Sequence, residues 1–289
     1  MTAKNKLQIL RQTLGTPTYE GPGVLLFRGD ILEMMRCVPS NLLNLSVTSP
    51  PYNIGKEYEV VRPVDEYLDW CEAWIKELHR ITENEGAFWL NLGYIEIPPK
   101  ARALPLSYLL WNRTPFSLIQ EVVWNYGAGV ACRNIFSPRN EKFLWYVKNP
   151  DRYCFNLDAV RDPDVKYPLQ RKNGKLKCNP AGKNPTDVWQ FPKVTSGTDR
   201  SSEERTPHPA QFPIAVIDRI IKASSNMDDL VLDPFMGSGT TAEVALRNGR
   251  QVVGFEINPA YVEIASRRLD GYFEGVRYAK AQGKLPLTV

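Results

Sequence analysis

The sequence has few cysteines and histidines and no long apolar run. Its five cysteines are widely spaced without a CxxC pair, and its two histidines are His79 and His208. These counts argue against a disulfide framework and a metal site, and they predict reduced, mostly buried thiols. No apolar stretch approaches the roughly 20 residues that span a bilayer, and residues 2–11 lack the apolar core of a signal peptide. We therefore expect a cytoplasmic protein with no metal and no membrane contact.

The chain also has little net charge, +4 over 289 residues, which by itself is weak evidence for a nucleic-acid partner. The charge is unevenly distributed, because residues 166–186 contain basic side chains and no acid. The basic residues are Lys166, Arg171, Lys172, Lys175, Lys177 and Lys183. Such a block attracts phosphate groups, but a solvated surface loop would have the same composition.

Alternating apolar runs and amphipathic segments predict an α/β fold. We expect strands at residues 24–27, 42–47, 87–92, 121–124, 142–147, 230–232 and 251–255, and helices at 31–37, 64–81, 212–223, 241–248 and 259–269. Residues 84–86 should end the second helix. Residues 151–205 are rich in Pro, Gly, Lys, Asn, Asp and Ser, with little periodicity. We interpret them as a loop-rich insertion in one domain formed by residues 1–150 and 206–289.

A glycine-rich turn after the strand at 230–232 indicates a nucleoside cofactor. Asp233 stands at the carboxyl end of this strand, where ligands bind in open α/β sheets. Gly237 and Gly239 let the backbone approach a ligand closely. Glu256 ends the next strand and can accept hydrogen bonds from two ribose hydroxyls.

Two cofactors fit this turn. Gly237, Gly239 and Ala242 have the G-x-G-x-x-A spacing of a nicotinamide dinucleotide site. The carboxylate of Asp233 precedes the glycines, however, and suits a positively charged amine better than a pyrophosphate. S-adenosylmethionine carries an ammonium, a sulfonium and no phosphate, so we favour it. An ordinary strand–turn–helix with a capping Asp is the structural alternative.

A second motif, at residues 47–53, also follows an apolar strand. Pro50 and Pro51 hold the backbone extended, which fixes the Ser49 hydroxyl and the Pro50 carbonyl as hydrogen-bond acceptors. Tyr52 offers a face on which a base can stack. Acceptors aimed at the N–H bonds of an exocyclic amine free its lone pair for in-line methyl transfer. That amine is inaccessible in a stacked duplex, so the base must flip out. A rigid loop with a buried tyrosine is the alternative.

Together the two motifs resemble those of the amino-methyltransferases of DNA restriction–modification systems. Residues 48–52 (TSPPY) look like the family's catalytic motif, and residues 233–239 (DPFMGSG) look like its S-adenosylmethionine motif. The family has further segments just before and after its S-adenosylmethionine motif, and residues 206–213 and 256–261 resemble them. The catalytic motif comes first, as in the permuted β group. The resemblance implies a Rossmann-like S-adenosylmethionine-dependent methyltransferase sheet and makes residues 151–205 a target-recognition region.

The resemblance also implies three sets of site residues. The catalytic residues are Ser49, Pro50, Pro51 and Tyr52. The cofactor-binding residues are Asp30, His208, Pro209, Asp233, Pro234, Phe235, Gly237, Ser238, Gly239, Thr240, Glu256 and Asn258. The DNA-binding residues are the six basic side chains between 166 and 183, which would contact phosphates and base edges. The implied partner is duplex DNA. A companion restriction endonuclease would act in the same system without direct contact, and the protein would be a monomer or a homodimer.

The target base is inferred from position 49. Family members with Ser before the two prolines mostly methylate N4 of cytosine, and those with Asp mostly methylate N6 of adenine. Ser49 therefore favours cytosine N4, with adenine N6 as the alternative. Methylation at C5 of cytosine needs a cysteine after a proline, and no cysteine here follows one. A nucleotide-dependent oxidoreductase, a catalytically idle DNA-binding module and an RNA or protein methyltransferase remain open.

Overall fold

The computed structural model describes residues 3–57, 59–129, 131–195, 202–282 and 284. Residues 196–201 of the expected target-recognition region, and 285–289 of the expected catalytic domain, lie outside the described residues. The helices are α1 (Ala3–Leu14), α2 (Ile31–Cys37), α3 (Val64–Ile81), α4 (Ser107–Leu110), α5 (Ile214–Ser224), α6 (Thr240–Arg247) and α7 (Pro259–Ala281), with a 3-10 helix at Leu157–Ala159.

The strands of the first half are β1 (Tyr19–Gly21), β2 (Val24–Arg28), β3 (Leu43–Thr48), β4 (Thr82–Leu92), β5 (Tyr94–Ile97), β6 (Ala101–Pro105), β7 (Ser117–Asn125) and β8 (Asn140–Val147). Those of the second half are β9 (Arg171–Lys172), β10 (Lys175–Leu176), β11 (Val188–Gln190), β12 (Leu230–Asp233) and β13 (Gln251–Glu256). The chain is therefore α/β, as predicted.

One large sheet organises the molecule, in the order β1-β2-β13-β12-β3-β4-β8-β7-β11. The strands β2, β13, β12, β3 and β4 run parallel, whereas β8 is antiparallel to β4 and β7. The carboxyl ends of the five parallel strands consequently meet at one edge of the sheet. Both predicted motifs follow strands of this group, so the fold alone brings them together.

Helices cover both faces of the sheet, which explains the continuous apolar runs of its strands. In β2, Leu25 and Phe27 face the layer of α2 and α3, while Val24 and Leu26 face the layer of α5, α6 and α7. The apolar stripe of α3 packs against the first of these faces and includes the fully buried Trp74. No helix in the described ranges is long and apolar enough to cross a membrane.

The strand predicted at 87–92 begins earlier than expected. The second predicted helix ends at Ile81, as α3, and β4 starts at once at Thr82, so residues 84–86 are strand and not a helix-ending turn. Polar contacts hold this start in place. Lys6 on α1, a helix that the sequence analysis did not predict, lies 2.5 Å from Glu83. Asn44 donates to the same carboxylate at 2.9 Å.

The segment 151–205 contains a hairpin and a strand of the main sheet. Asn173 and Gly174, with φ of 51° and 76°, form the turn between β9 and β10, as in two-residue hairpins with positive φ at both positions. Near its end, β11 pairs in parallel with β7, and Trp189 is buried there. The segment is therefore loop-rich, but residues 188–190 complete the central sheet.

The expectation of mostly buried thiols is wrong. Cys71 is buried, whereas Cys37 and Cys132 are exposed and Cys154 and Cys178 are half-buried. Cys37 is the last residue of α2, and Cys132 lies in the connection between β7 and β8, so neither side chain reaches the core.

Candidate active site

The predicted motifs meet in one cavity at the carboxyl edge of the parallel strands. In the sheet Leu232 lies opposite Ser46, so β3 delivers Ser49 next to the Asp233 that ends β12. The cavity has a volume of about 1080 Å³, at the upper end of the range for ligand sites. It is lined by all four predicted catalytic residues and by every predicted cofactor-binding residue except Gly239.

Asp233 joins the two motifs directly. Its carboxylate accepts hydrogen bonds from the Thr48 hydroxyl at 2.7 Å, the Thr241 hydroxyl at 2.7 Å and the Phe235 backbone N–H at 3.1 Å. Thr48 belongs to the catalytic strand, and Thr241 to the helix that follows the glycine turn. Asp233 therefore fixes the position of one motif relative to the other.

The carboxylate of Asp233 is poorly compensated by these neutral donors. The residue is 2% exposed, and burial raises its pKa to about 6. The threonine hydroxyls and the backbone N–H act in the opposite direction but do not cancel the loss of water. A ligand with a positive charge would supply the missing compensation.

Glu256 holds the glycine turn from the neighbouring strand. One carboxylate oxygen accepts from the Gly237 N–H at 2.9 Å, and the other accepts from the Asn258 N–H at 2.8 Å. Burial raises the pKa of Glu256. Both oxygens keep further lone pairs, so the carboxylate can also accept from ligand hydroxyls in the cavity.

His208 packs against the glycine turn as a neutral ring. A Cβ added to Gly237 would lie 3.0 Å from the His208 imidazole, so only glycine permits this approach. Burial lowers the pKa of His208 to about 4, and its Nδ1 accepts from the Ala210 N–H at 3.2 Å. The ring also contacts Tyr261, with centroids 4.3 Å apart. His208 thus lines the cavity without adding charge at neutral pH.

Gly239 has a backbone role and does not line the cavity. It precedes α6 with a φ of 78°, in the left-handed region that favours glycine. An added Cβ would lie 3.0 Å from Ala265 of α7. Gly239 therefore allows close packing between the turn and α7, and its contact with the cofactor stays a prediction.

Asp30 and Asn258 cap helices at the edge of the cavity. Asp30 accepts from the Leu32 N–H at 2.8 Å at the start of α2, and Asn258 accepts from the Ala260 N–H at 2.9 Å at the start of α7. Such caps are the usual function of these residue types. Contact with a cofactor would be an additional function for both.

Ser49 and Tyr52 belong to a polar chain that the sequence analysis missed in part. The Ser49 hydroxyl donates to the Tyr52 hydroxyl at 2.8 Å. The Tyr52 oxygen lies 2.7 Å from the Asn91 carbonyl oxygen and 3.2 Å from a Glu141 carboxylate oxygen. The other Glu141 oxygen lies 2.5 Å from the Lys193 ammonium. All five side chains line the cavity.

The sequence analysis missed Asn91, Glu141 and Lys193, and only the first of them could have been found from its position in the sequence. Asn91 lies at the end of a predicted strand, and the same reasoning that located Ser49 and Asp233 could have found it. Glu141 is the second residue of the antiparallel strand β8, and Lys193 follows β11. Neither residue therefore lies at the carboxyl end of a parallel strand, where the sequence analysis looked for site residues. Lys193 is further held above Tyr126, with its ammonium 3.8 Å from the ring centroid.

The predicted DNA-binding residues lie apart from the cavity. All six are exposed, and none lines it. Arg171, Lys172 and Lys175 lie on the small hairpin, while Lys183 forms an ion pair with Asp162 at 3.2 Å. The basic residues that do line the cavity, besides Lys193, are Lys56, Arg62 and Arg139.

Residues 43–267 match the DNA methylase family that comprises N6 and N4 methyltransferases. This match covers most of the chain. The chain belongs to this family. It is a β-group DNA methyltransferase of the kind found in Type II restriction–modification systems, and it depends on S-adenosylmethionine.

Individual relatives agree with this assignment. The Type II methyltransferase M.ScaI of Streptomyces caespitosus is 61% identical over 92% of this chain and 87% of its own length. The DNA adenine methyltransferase YhdJ of Escherichia coli (strain K12) is 34% identical over 85% of this chain and 82% of its own. The solved PvuII DNA methyltransferase (cytosine-N4-specific) has the same fold, with a TM-score of 0.68 at 20% identity over 90% of this chain and 94% of its own.

The cavity of this methyltransferase fits its cofactor chemically. Asp30, Asp233 and Glu256 stand at the ends of three neighbouring strands, and they give this part of the cavity a negative charge. That charge suits a sulfonium and an ammonium and opposes a pyrophosphate. Asp233 would hold the ammonium, and Glu256 the ribose hydroxyls.

Lowering the pH through about 6 is expected to weaken cofactor binding. Asp233, with its pKa raised to about 6, is protonated below that pH and loses its attraction for an ammonium, so the dissociation constant should rise by up to about tenfold per pH unit. Stability changes in the opposite direction, because the folded pKa lies above the ordinary value of 3.8. The contribution of this carboxyl to stability is complete below about pH 4 and is lost as the pH rises through about 6.

Calorimetric titration with S-adenosylmethionine between about pH 5 and pH 8 measures the first effect. The variant Asp233→Asn is the control, since its amide does not titrate. Its weaker affinity should change less with pH than that of the wild type, and the remaining change comes from Glu256, whose pKa burial also raises. A wild-type dissociation constant that stays the same across this range would contradict the assignment of Asp233 to the ammonium.

Proposed function

We propose that the protein transfers a methyl group from S-adenosylmethionine to the N4 amino group of cytosine in duplex DNA, with the target base flipped into the cavity. The alternative is the N6 amino group of adenine. The observation that carries the proposal is the hydrogen bond between Thr48 and Asp233, because it sets Ser49 beside the carboxylate assigned to the cofactor. The amine and the methyl donor would meet between these residues.

The chemistry requires little from the protein beyond positioning. S-adenosylmethionine, when bound, supplies an electrophilic methyl group. Ser49 and the Pro50 carbonyl accept hydrogen bonds from the N–H bonds of the amine, which frees the nitrogen lone pair for in-line attack. The Pro51 carbonyl accepts from the Tyr67 hydroxyl at 2.7 Å, which holds this turn rigid. The surplus amine proton leaves to solvent after transfer.

Tyr52 is proposed to stack on the flipped base. Its ring packs closely on the backbone at Gly93, where an added Cβ would lie 2.9 Å from the ring, and its hydroxyl is held by hydrogen bonds. A ring fixed in this way presents a preformed surface to a base, and such stacking contributes about 1–3 kcal/mol per base.

Ser49 supports cytosine over adenine, as in family members with Ser at this position. The named relatives differ, since YhdJ is a DNA adenine methyltransferase and the PvuII enzyme is cytosine-N4-specific. The test is to incubate the protein with mixed-sequence duplex DNA and methyl-labelled S-adenosylmethionine, digest the DNA and identify the labelled nucleoside by mass spectrometry. N4-methylcytosine supports the proposal and N6-methyladenine establishes the alternative. Duplex DNA that stays unlabelled, with label transferred to RNA or protein in parallel reactions, overturns both.

We further propose that residues 151–205 recognise the target, with the hairpin of β9 and β10 on phosphate groups. The double variant Lys172→Gln with Lys175→Gln should weaken binding to all duplexes and reduce the slope of log K against log salt by about 0.9 for each phosphate group that is no longer neutralised. The control removes the same charge elsewhere, with Lys76→Gln and Arg267→Gln on α3 and α7. Equal salt slopes in the two double variants, measured by fluorescence anisotropy, would refute the hairpin's role.

The remaining partners follow from membership in a restriction–modification system. We propose a companion restriction endonuclease that recognises the same sequence without direct contact, and a monomer or homodimer as the state in solution. Sedimentation of the protein with and without duplex DNA distinguishes the two states.

A further inference from the structure

The Ser49 hydroxyl can act on an amine in two opposite ways. A serine hydroxyl has one proton and two lone pairs, so it can accept from an N–H bond or donate to the nitrogen. Only the first activates the amine, because donation to the nitrogen would occupy the lone pair that must attack the methyl group. The direction of the Ser49 proton is therefore part of the chemistry.

In this cavity the acceptors on the far side of Tyr52 determine where the Ser49 proton points. The Tyr52 hydroxyl lies between two oxygens that cannot donate, the carbonyl of Asn91 at 2.7 Å and the carboxylate of Glu141 at 3.2 Å. Its single proton must therefore point towards them. The Tyr52 oxygen is left as an acceptor, and it receives the Ser49 proton at 2.8 Å.

Further contacts of Asn91 and Glu141 keep the oxygens that face Tyr52 as acceptors. The Asn91 amide nitrogen donates to the Lys142 carbonyl at 3.3 Å, so its oxygen faces Tyr52. The Glu141 carboxylate pairs with the Lys193 ammonium at 2.5 Å, and the side chains of this pair are only 13% and 23% exposed. The ion pair uses one carboxylate oxygen and leaves the other oxygen facing the Tyr52 hydroxyl as an acceptor.

We propose that Asn91 and Glu141 are positioning residues that orient the hydroxyl protons of Tyr52 and Ser49, so that Ser49 presents only lone pairs to the target amine. This inference rests on the proposed function, since it requires an exocyclic amine at Ser49. It applies equally to cytosine and adenine. The hydrogen bonds of the chain reinforce one another because the Tyr52 hydroxyl accepts from Ser49 while it donates to Asn91.

The substitution Glu141→Gln tests the direction of the chain. The new amide would turn its carbonyl to the Lys193 ammonium and its N–H to Tyr52, where it would compete with Ser49 for the Tyr52 oxygen. Single-turnover methyl transfer should slow by about 10- to 100-fold, which corresponds to one charge-assisted hydrogen bond. The dissociation constants of S-adenosylmethionine and of a duplex with an unpaired target base should stay within about twofold.

Glu141 and Asn91 are proposed to act on Ser49 only through the Tyr52 hydroxyl, an arrangement that we call the relay. A double-mutant cycle with Tyr52→Phe separates the relay from a purely structural effect of the substitution. Phenylalanine keeps the stacking face and removes the hydroxyl through which the relay acts, so the double variant should be no slower than Tyr52→Phe alone. The matched control is Glu121→Gln on β7, whose carboxylate lies 3.9 Å from Lys142 and does not line the cavity. It should transfer methyl groups at the wild-type rate.

The relay would be overturned if the rate loss of the double variant equalled the product of the two single losses, or if Tyr52→Phe transferred methyl groups at the wild-type rate. If Glu141→Gln lowers the melting temperature, Asn91→Leu replaces it in the same cycle with the same expectation. The labelled nucleoside is identified in each reaction. Label on adenine would therefore reject the cytosine assignment while leaving the cycle to decide on the relay.

Discussion

Replacing Asp233 with alanine should abolish detectable binding of S-adenosylmethionine and destabilise the protein. The carboxylate is 2% exposed and is the acceptor for both Thr48 and Thr241. Its removal leaves two buried hydroxyls without that acceptor and takes away the charge assigned to the ammonium. Hydrogen bonds to charged groups contribute about 1.5–3 kcal/mol each, so the loss of two such bonds from the ammonium should lower the affinity by at least about 100-fold. Calorimetry and thermal unfolding measure the two effects.

Two variants separate the charge from the hydrogen bonds. Asp233→Asn keeps the shape and one acceptor oxygen, so it should lose affinity for the cofactor with a smaller loss of stability than alanine. Thr241→Val removes one donor to the carboxylate and retains its charge, so it should lower the melting temperature and keep most of the affinity. If Asp233→Asn binds S-adenosylmethionine as tightly as the wild type, Asp233 does not hold the ammonium.

The positions of Ser49 and Asp233 were predictable because both follow apolar strands. Parallel strands end at a common edge, so two polar motifs at strand ends are expected to face one cavity even when they are far apart in sequence. The register of β3 with β12 brings Thr48 within 2.7 Å of Asp233. The strand ends at Ser49 and Asp233 could be located from the sequence because the apolar pattern of each strand shows where it ends, and parallel pairing then brings the two ends to one edge.

Glu141 and Lys193 illustrate what such reasoning cannot supply. Their pairing depends on the antiparallel placement of β8 and on the return of the chain along β11. Strand pairing between distant segments is not encoded in the local pattern of either one. The Asn173–Gly174 turn is a different case. The sequence does carry a hairpin signal there, but the composition of residues 151–205 obscured it.

Gly239 shows that a glycine in such a motif can have a packing role that its spacing does not predict. Glycines in such a turn are expected to approach the ligand, and Gly237 does line the cavity. Gly239 instead lies against Ala265, with 3.0 Å between an added Cβ and the neighbouring backbone. Whether a glycine faces a ligand or a helix depends on how α6 packs on α7, which the spacing of the motif does not specify.

Replacing Ser49 with alanine should lower the rate of methyl transfer by about 10²- to 10³-fold, the range found when one group that stabilises the transition state is removed. Alanine keeps the backbone between Thr48 and Pro50 but offers no lone pair to the target amine. Affinity for S-adenosylmethionine should change little, because Asp233 and Glu256 remain. Single-turnover rates and calorimetry on the same preparation separate the two quantities.

Ser46→Ala is the matched control on the same strand. Ser46 is fully buried, and its hydroxyl has no hydrogen-bond partner among the described residues, so removing the hydroxyl should leave both rate and affinity unchanged. A group that is buried without a partner costs free energy, and its loss should preserve or slightly raise the melting temperature. Ser49→Ala should leave the melting temperature similar and the rate much lower. A Ser49→Ala enzyme that transfers methyl groups as fast as Ser46→Ala would show that the Ser49 hydroxyl does not activate the amine, and the Pro50 carbonyl would then be the acceptor that matters.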